Sequence, residues 1–262
     1  MQAGLASPEP VQNKSAYGNG AMRSWHLDLN IYDTDKITNR YMDLYDPVFQ
    51  PWVDKEITLL EIGVLKGGSL LLWRDYFSQG TIVGIDIKLP ERFVPTERIR
   101  VHQGSQSDTK FLTEVAQREA PEGFDIIIDD ASHIADLTRK SFWHLFDNHL
   151  KPGGLYVIED WGTGYWDDWP DGTSYRPKKR LQQELWARLL VRLKISQNAK
   201  QKLPVHCHSH GMVGFVKELV GEQGAADKTR GRMSGTPKRR SKFDSVLIKS
   251  SIVFVRKSFD PS

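Results

Sequence analysis

Two pairs of adjacent acids are the residues best placed to do chemistry. Ile126-Ile127-Ile128 runs into Asp129-Asp130, and Tyr156-Val157-Ile158 runs into Glu159-Asp160. Each pair follows a short apolar run of the kind that forms a buried strand, so each stands at a strand's carboxyl end. In an open parallel sheet, ligands bind beyond those ends. Up to four carboxylates would then converge, each disfavouring the ionisation of the others. A bound divalent cation resolves that repulsion, and an all-oxygen donor set favours Mg²⁺, Ca²⁺ or Mn²⁺ over zinc. His133 lies three residues past Asp130 and can reach the same pocket from the loop. The plainer alternative is that the acids cap helices and pair with Lys or Arg.

A second region offers a cradle for a nucleoside. Leu59-Leu60-Glu61-Ile62-Gly63 breaks into a turn ending at Gly67-Gly68-Ser69, and Ile82-Val83-Gly84-Ile85 ends on Asp86. The order reads as strand, tight loop, helix, and strand with an acid at its tip, the nucleotide-binding half of a doubly wound sheet. Asp86 can accept both hydroxyls of a ribose. Glu61, Gly63, Gly67 and Ser69 give E-x-G-x-x-x-G-x-S, not the G-x-G-x-x-G that brings a pyrophosphate to a helix start. That spacing resembles motif I of the class I S-adenosylmethionine-dependent methyltransferases, whose ligand carries a ribose but no phosphate. The chemistry then joins up. A sugar hydroxyl is a poor nucleophile at neutral pH, and chelation on a metal lowers its pKa while a histidine takes the proton.

The resemblance narrows along the chain. Thr58-Leu59-Leu60-Glu61-Ile62-Gly63, Leu72-Trp73-Arg74-Asp75-Tyr76-Phe77, Asp129-Asp130-Ala131-Ser132-His133, and Glu159-Asp160 followed by Tyr165-Trp166 resemble the metal-dependent sugar O-methyltransferases of macrolide antibiotic biosynthesis over about residues 30–166. The resemblance implies Asp130, Glu159 and Asp160 as metal ligands, Mg²⁺ as the cation, and His133 as general base. It implies S-adenosylmethionine as cofactor, contacted by Glu61, Gly63, Gly67, Ser69, Asp86, Ser105, Gln106 and Asp129. Ser105 stands where the family more often has an acid beside the adenine, and Ala131 replaces a glycine. Thr34-Asp35-Lys36 resembles a family phrase near the cofactor. A glycosylated small molecule is the implied acceptor. No counterpart of the large auxiliary domain of a macrolide enzyme is expected, so no particular macrolide is inherited. Two rival readings are a cephalosporin-hydroxylase-like enzyme of the same fold and a non-catalytic S-adenosylmethionine-binding protein.

The elements that must position these residues follow a strand–helix cadence. Strands are predicted at 57–62, 81–86, 99–102, 124–129 and 155–159, with helices at 69–78, 108–118 and 138–149, and Ser69 as the first helix's N-cap. The expected fold class is α/β: a Rossmann-like, doubly wound, mostly parallel sheet with helices on both faces and an antiparallel C-terminal strand. Residues 1–24 read as a disordered leader and 25–56 as a helical segment packed on the sheet edge or over the cofactor. The cofactor-binding core is 57–160, an aromatic-rich lid and helix 161–210, and strands with a basic loop 211–262. In the lid, Trp161, Tyr165, Trp166, Trp169 and Tyr175 suit the apolar faces of a sugar or polyketide.

Composition excludes several classes. Thirty-six basic against 33 acidic residues leave a net charge of +3, too small to expect a nucleic-acid partner, and the basic stretch Lys228–Lys242 reads as a solvated loop. The single Cys207 forbids an intrachain disulfide and fits a reducing compartment. No apolar run is long enough to span a bilayer, so no membrane is expected and the location is read as cytoplasmic. His206, His208 and His210 alternate as zinc ligands on a strand would, but no second cluster accompanies them. Homo-oligomerisation is left open.

Overall fold

The computed structural model describes residues 22–91, 96–175, 185–186, 188–193, 207–225 and 239–260. Residues 1–21 of the predicted leader, His206, most of the basic loop and part of the 161–210 segment lie outside the described residues, whereas the leader's last residues, Arg23 and Ser24, form a helical turn with Ser24 buried and bonded to Asp46.

Seven strands form one sheet in the order β3-β2-β1-β4-β5-β7-β6, where β1 is Thr58–Ile62, β2 Thr81–Asp86, β3 Ile99–Gln103, β4 Phe124–Asp129, β5 Leu150–Glu159, β6 Phe243–Ile248 and β7 Ile252–Lys257. The first five run parallel, and the last two enter as a hairpin, with β7 antiparallel to both β5 and β6. The order reverses at β1, which has β2 on one side and β4 on the other, and that is where such sheets open a crevice. In register, Ile62 faces Ile85 and Asp129, and Asp129 faces Ile158. Asp86, Asp130 and Glu159 therefore finish at one level of the sheet.

Both faces of the sheet are covered, which is why its strands read as near-continuous apolar runs. Leu60, Ile62 and Ile127 pack on one side beneath α4 (Thr109–Glu119) and α5 (Ala135–Asn148). Leu59, Ile126 and Ile128 pack on the other with α3 (Gly68–Tyr76) and with α2 (Met42–Phe49), which follows the short α1 (Asp35–Thr38). Tyr45, Phe49, Trp73, Tyr76 and Phe77 are fully buried and meet ring to ring there, so the N-terminal segment is anchored in a core.

Three expectations are corrected. The N-cap of α3 is Gly67 in left-handed backbone (φ 84°), with no side-chain cap, and the Ser69 hydroxyl turns inward instead. Helix α5 begins at Ala135, three residues early, because Asp171 of the lid accepts its first N–H at 3.0 Å, a cap invisible locally. Strand β5 begins at Leu150, and the Lys151–Gly154 segment is part of it, since a register shift opposite Phe124 and Ile126 absorbs the glycines.

Gly63 decides where the first loop can go. It sits at φ 102°, its N–H donates to the Ile85 carbonyl at 2.8 Å, and a Cβ there would stand 2.2 Å from the Asp130 carbonyl oxygen. Gly63→Ala is expected to lower the free energy of unfolding by about 1–3 kcal/mol through backbone strain alone, more if the Asp130 loop must move. Urea denaturation of the two proteins measures the difference.

Candidate active site

A cavity of about 650 Å³ opens at the carboxyl end of β1, β2 and β4. Its size suits a nucleoside-sized ligand with a second reactant beside it. Among the residues singled out from sequence, Gly63, Ser69, Asp86, Ser105, Gln106, Asp130, His133 and Asp160 line it. Glu61, Gly67, Asp129 and Glu159 do not, and stand behind its wall.

Asp86 organises one end of the cavity. Its Oδ2 accepts the N–H groups of Val64 (2.8 Å) and Leu65 (3.1 Å), and its Oδ1 that of Lys88 (3.0 Å), so one carboxylate fixes the loop that borders the cavity. Gln106 links the third strand's loop to the acid loop: its Oε1 accepts the Ser132 N–H at 3.2 Å and its amide donates to Asp129. Ser105 bonds locally to Ser107.

The four acids do not converge. Successive residues on a strand point to opposite faces, so Asp129 turns toward α5, and Ser141 of that helix (2.7 Å) and Tyr156 of β5 (3.2 Å) donate to it. Burial pushes its carboxyl up to about 6. Glu61, Asp130 and Glu159 share the other face, and between them sits an ammonium. Lys36 of α1 is fully buried, its Nζ 2.6 Å from Asp130 Oδ2, 2.8 Å from Glu159 Oε1 and 3.3 Å from Glu61 Oε1. Burial opposes its charge, but the three acids, Asp130 foremost, hold it protonated well above the usual lysine range. Burial likewise raises Glu61 and Glu159. Ser69 (2.7 Å) and the Trp73 indole (3.2 Å) donate to Glu61, and the Tyr45 hydroxyl donates to Glu159. Glu61 and Asp129 thus meet hydrogen-bond donors of the protein itself.

What remains open toward the cavity is a smaller group. Asp130 Oδ1 lies 3.8 Å, and Asp160 Oδ2 3.9 Å, from His133 Nε2. One donor atom from each of the three falls within 4.8 Å of the others. His133 (φ 50°) and Asp160 (φ 52°) both hold left-handed backbone that non-glycine residues seldom adopt, a cost met at functional positions. The Tyr41 hydroxyl donates to Asp160 Oδ1, leaving Oδ2 free to face the imidazole. Burial raises the Asp160 carboxyl. Two carboxylates side by side, with room before them, fit a hard divalent cation that keeps water or ligand oxygens in its remaining positions. Glu159, the other expected ligand, is 1% exposed, with its Oε1 shared by Lys36 and Tyr45, and its donor atom falls within 4.8 Å of those of Glu61 and Asp130.

No protein-family model matches the chain. It is 46% identical over 129 residues to mycinamicin VI 2''-O-methyltransferase of Micromonospora griseorubida, covering 47% of this chain and 31% of that protein. It is 37% identical over 224 residues to demethylmacrocin O-methyltransferase of Streptomyces fradiae, covering 73% of this chain and 54% of the relative. The crystal structure of the MycE methyltransferase of the mycinamycin pathway, in complex with Mg and SAH, superposes with a TM-score of 0.61 at 31% identity, over 83% of this chain and 49% of that one. Its homologues are sugar O-methyltransferases of macrolide and polyketide pathways. The fold is accordingly a methyltransferase-like sheet. The matched part spans about half the length, or less, of the curated relatives.

Of the aromatic residues singled out after β5, Trp169 lines the cavity. The Trp169 indole N–H donates to the Ser132 carbonyl at 3.3 Å, and its ring lies 5.9 Å from that of His133. Asp171 accepts the first N–H of α5 and, at 2.8 Å, that of Met212 in α6 (Gly211–Gly224), tying its own segment to both helices. His208 and His210 stack with Tyr175 and belong to no metal-competent group among the described residues. No helix among those residues is long and apolar enough to cross a membrane. Tyr45→Phe would leave the buried Glu159 short of a donor, an expected loss of about 1–3 kcal/mol in unfolding free energy. Thermal or urea melts of the two proteins show it.

Proposed function

We propose that the chain methylates a hydroxyl of a glycosylated small molecule, using S-adenosylmethionine and a divalent cation, Mg²⁺ by the oxygen donor set. The observation that carries the reading is the Asp130, Asp160 and His133 group facing a cavity whose other end is the Asp86 loop. Support comes from relatives named for O-methyl transfer to macrolides and from one relative solved with Mg and SAH.

When bound, S-adenosylmethionine supplies an electrophilic sulfonium methyl, and the cation polarises the acceptor hydroxyl toward its alkoxide. Gly63 and the Asp86-held loop seat the nucleoside, and Asp86 keeps lone pairs for ribose hydroxyls. Asp130 and Asp160 would hold the cation. His133 takes the hydroxyl proton at Nε2, and the two carboxylates beside it stabilise the imidazolium that results. The chain needs to do little more than position, since methyl transfer is an in-line displacement. Trp169 and Trp166, ring edge to ring face at 6.1 Å, present apolar surface suited to a sugar on the open side.

The test is incubation with S-adenosylmethionine, Mg²⁺ and a panel of deoxysugar glycosides, read by mass spectrometry for the gain of one methyl group. EDTA is expected to abolish turnover and excess Mg²⁺ to restore it, and His133→Gln to lower kcat by about 10²- to 10⁴-fold. Full turnover in EDTA, or an unchanged kcat in His133→Gln, contradicts the mechanism.

A further inference from the structure

His133 and Asp160 face each other across the site, and each holds left-handed backbone just past the end of a strand, β4 for one and β5 for the other. Neither is glycine, so each conformation persists only where the surroundings over-determine it. The carboxylate oxygens beside the His133 ring stand 3.8 and 3.9 Å from Nε2, beyond hydrogen-bond reach, so they do not fix the ring. Its placement falls to the backbone that carries it.

One residue bonds to both turns. Thr163 lies in the 3-10 turn Trp161–Tyr165 after β5 and is fully buried. Its N–H donates to the Asp160 carbonyl at 3.0 Å, and its hydroxyl donates to the His133 carbonyl at 3.2 Å. Ser132, next to His133, is gripped as well: Gln106 accepts its N–H and the Trp169 indole donates to its carbonyl. Gln106 and Trp169 line the cavity, whereas Thr163 is not among the lining residues. Its hydroxyl is thus spent on the protein's own backbone.

We propose that Thr163 is a positioning residue whose hydroxyl ties the His133 turn to the Asp160 turn, setting the base against the acid that faces it. This rests on the reading of His133 as general base and deepens it. The link is short and stiff, since a β-branched side chain has one restricted torsion, so the two turns move together. Valine has a similar shape but cannot donate, and serine keeps the donor without the methyl. The two substitutions therefore separate the hydrogen bond from the packing.

The experiment compares Thr163→Val and Thr163→Ser with the unaltered chain, each labelled with ¹³C,¹⁵N-histidine and saturated with S-adenosylhomocysteine. The His133 signals are identified by their loss in His133→Gln. Thr163→Val is expected to move the Cα, Cβ and ring signals of His133, and Thr163→Ser to keep them. With a glycoside that the unaltered chain methylates, kcat is expected to fall about 10²-fold in Thr163→Val and to be largely restored in Thr163→Ser, as for a misplaced reacting group. The KM for S-adenosylmethionine is expected to stay unchanged. A folded Thr163→Val that keeps the His133 signals and kcat overturns the proposal, as does a Thr163→Ser that loses both. If Thr163→Val does not fold, Thr163→Ala against Thr163→Ser makes the same comparison, since those two differ by the hydroxyl alone. An unaltered chain that methylates no glycoside refutes the methyl-transfer reading instead, and the histidine signals then decide the positioning by themselves.

Discussion

The site depends on one buried ammonium among three carboxylates. Lys36, Glu61, Asp130 and Glu159 come from α1, β1, β4 and β5, elements separated widely in sequence, and they meet within bonding distance of a single nitrogen. A buried ion pair adds little net stability, because desolvation offsets most of the attraction, but removing one partner costs several kcal/mol. Such a cluster specifies an arrangement more than it stabilises one. Here it fixes the N-terminal segment across the strand tips and leaves Asp130 with one oxygen committed and one available.

From that constraint the rest of the cavity follows. The segment that carries Lys36 also brings Tyr41 to Asp160 and Tyr45 to Glu159, so two aromatic hydroxyls complete the acids' hydrogen bonding. Its preceding loop, Asp33–Asp35, walls the cavity beside Gly68, where a Cβ would strike the Asp33 carbonyl oxygen at 2.1 Å. On the far side the lid is held by Asp171, which caps two helices at once. The reacting groups are thus placed by elements that are themselves fixed, as a site relying on positioning requires.

The strands and the acids at their tips were legible because parallel, doubly covered strands are apolar on both faces, as Ile126-Ile127-Ile128 and Tyr156-Val157-Ile158 show. The glycine loop and Asp86 were legible for a similar reason, since Gly63 answers a local backbone requirement. The convergence of four carboxylates was not a sound reading. Strand alternation alone separates Asp129 from Asp130, and counting the period through the strand ends would have shown it. Pairing of the acids with a lysine, the plainer alternative, holds for Glu61, Asp130 and Glu159 and leaves Asp160 facing the cavity. Lys36 was legible only as part of Thr34-Asp35-Lys36, which resembles a family phrase near the cofactor; its burial among three acids was not, because those partners lie on strands far along the chain. The early start of α5 and the long β5 were hidden for the opposite reason: their causes, Asp171 and the shift opposite Phe124, lie far off in the chain.

The central claim is that Asp130 and Asp160 hold one divalent cation in front of His133. The most direct measurement is an anomalous difference map from crystals grown with Mn²⁺ and S-adenosylhomocysteine. A single peak bounded by Asp130 and Asp160, with the nucleoside against Asp86, is the predicted result. A peak lodged between Glu61 and Glu159, or none within reach of His133, would contradict it.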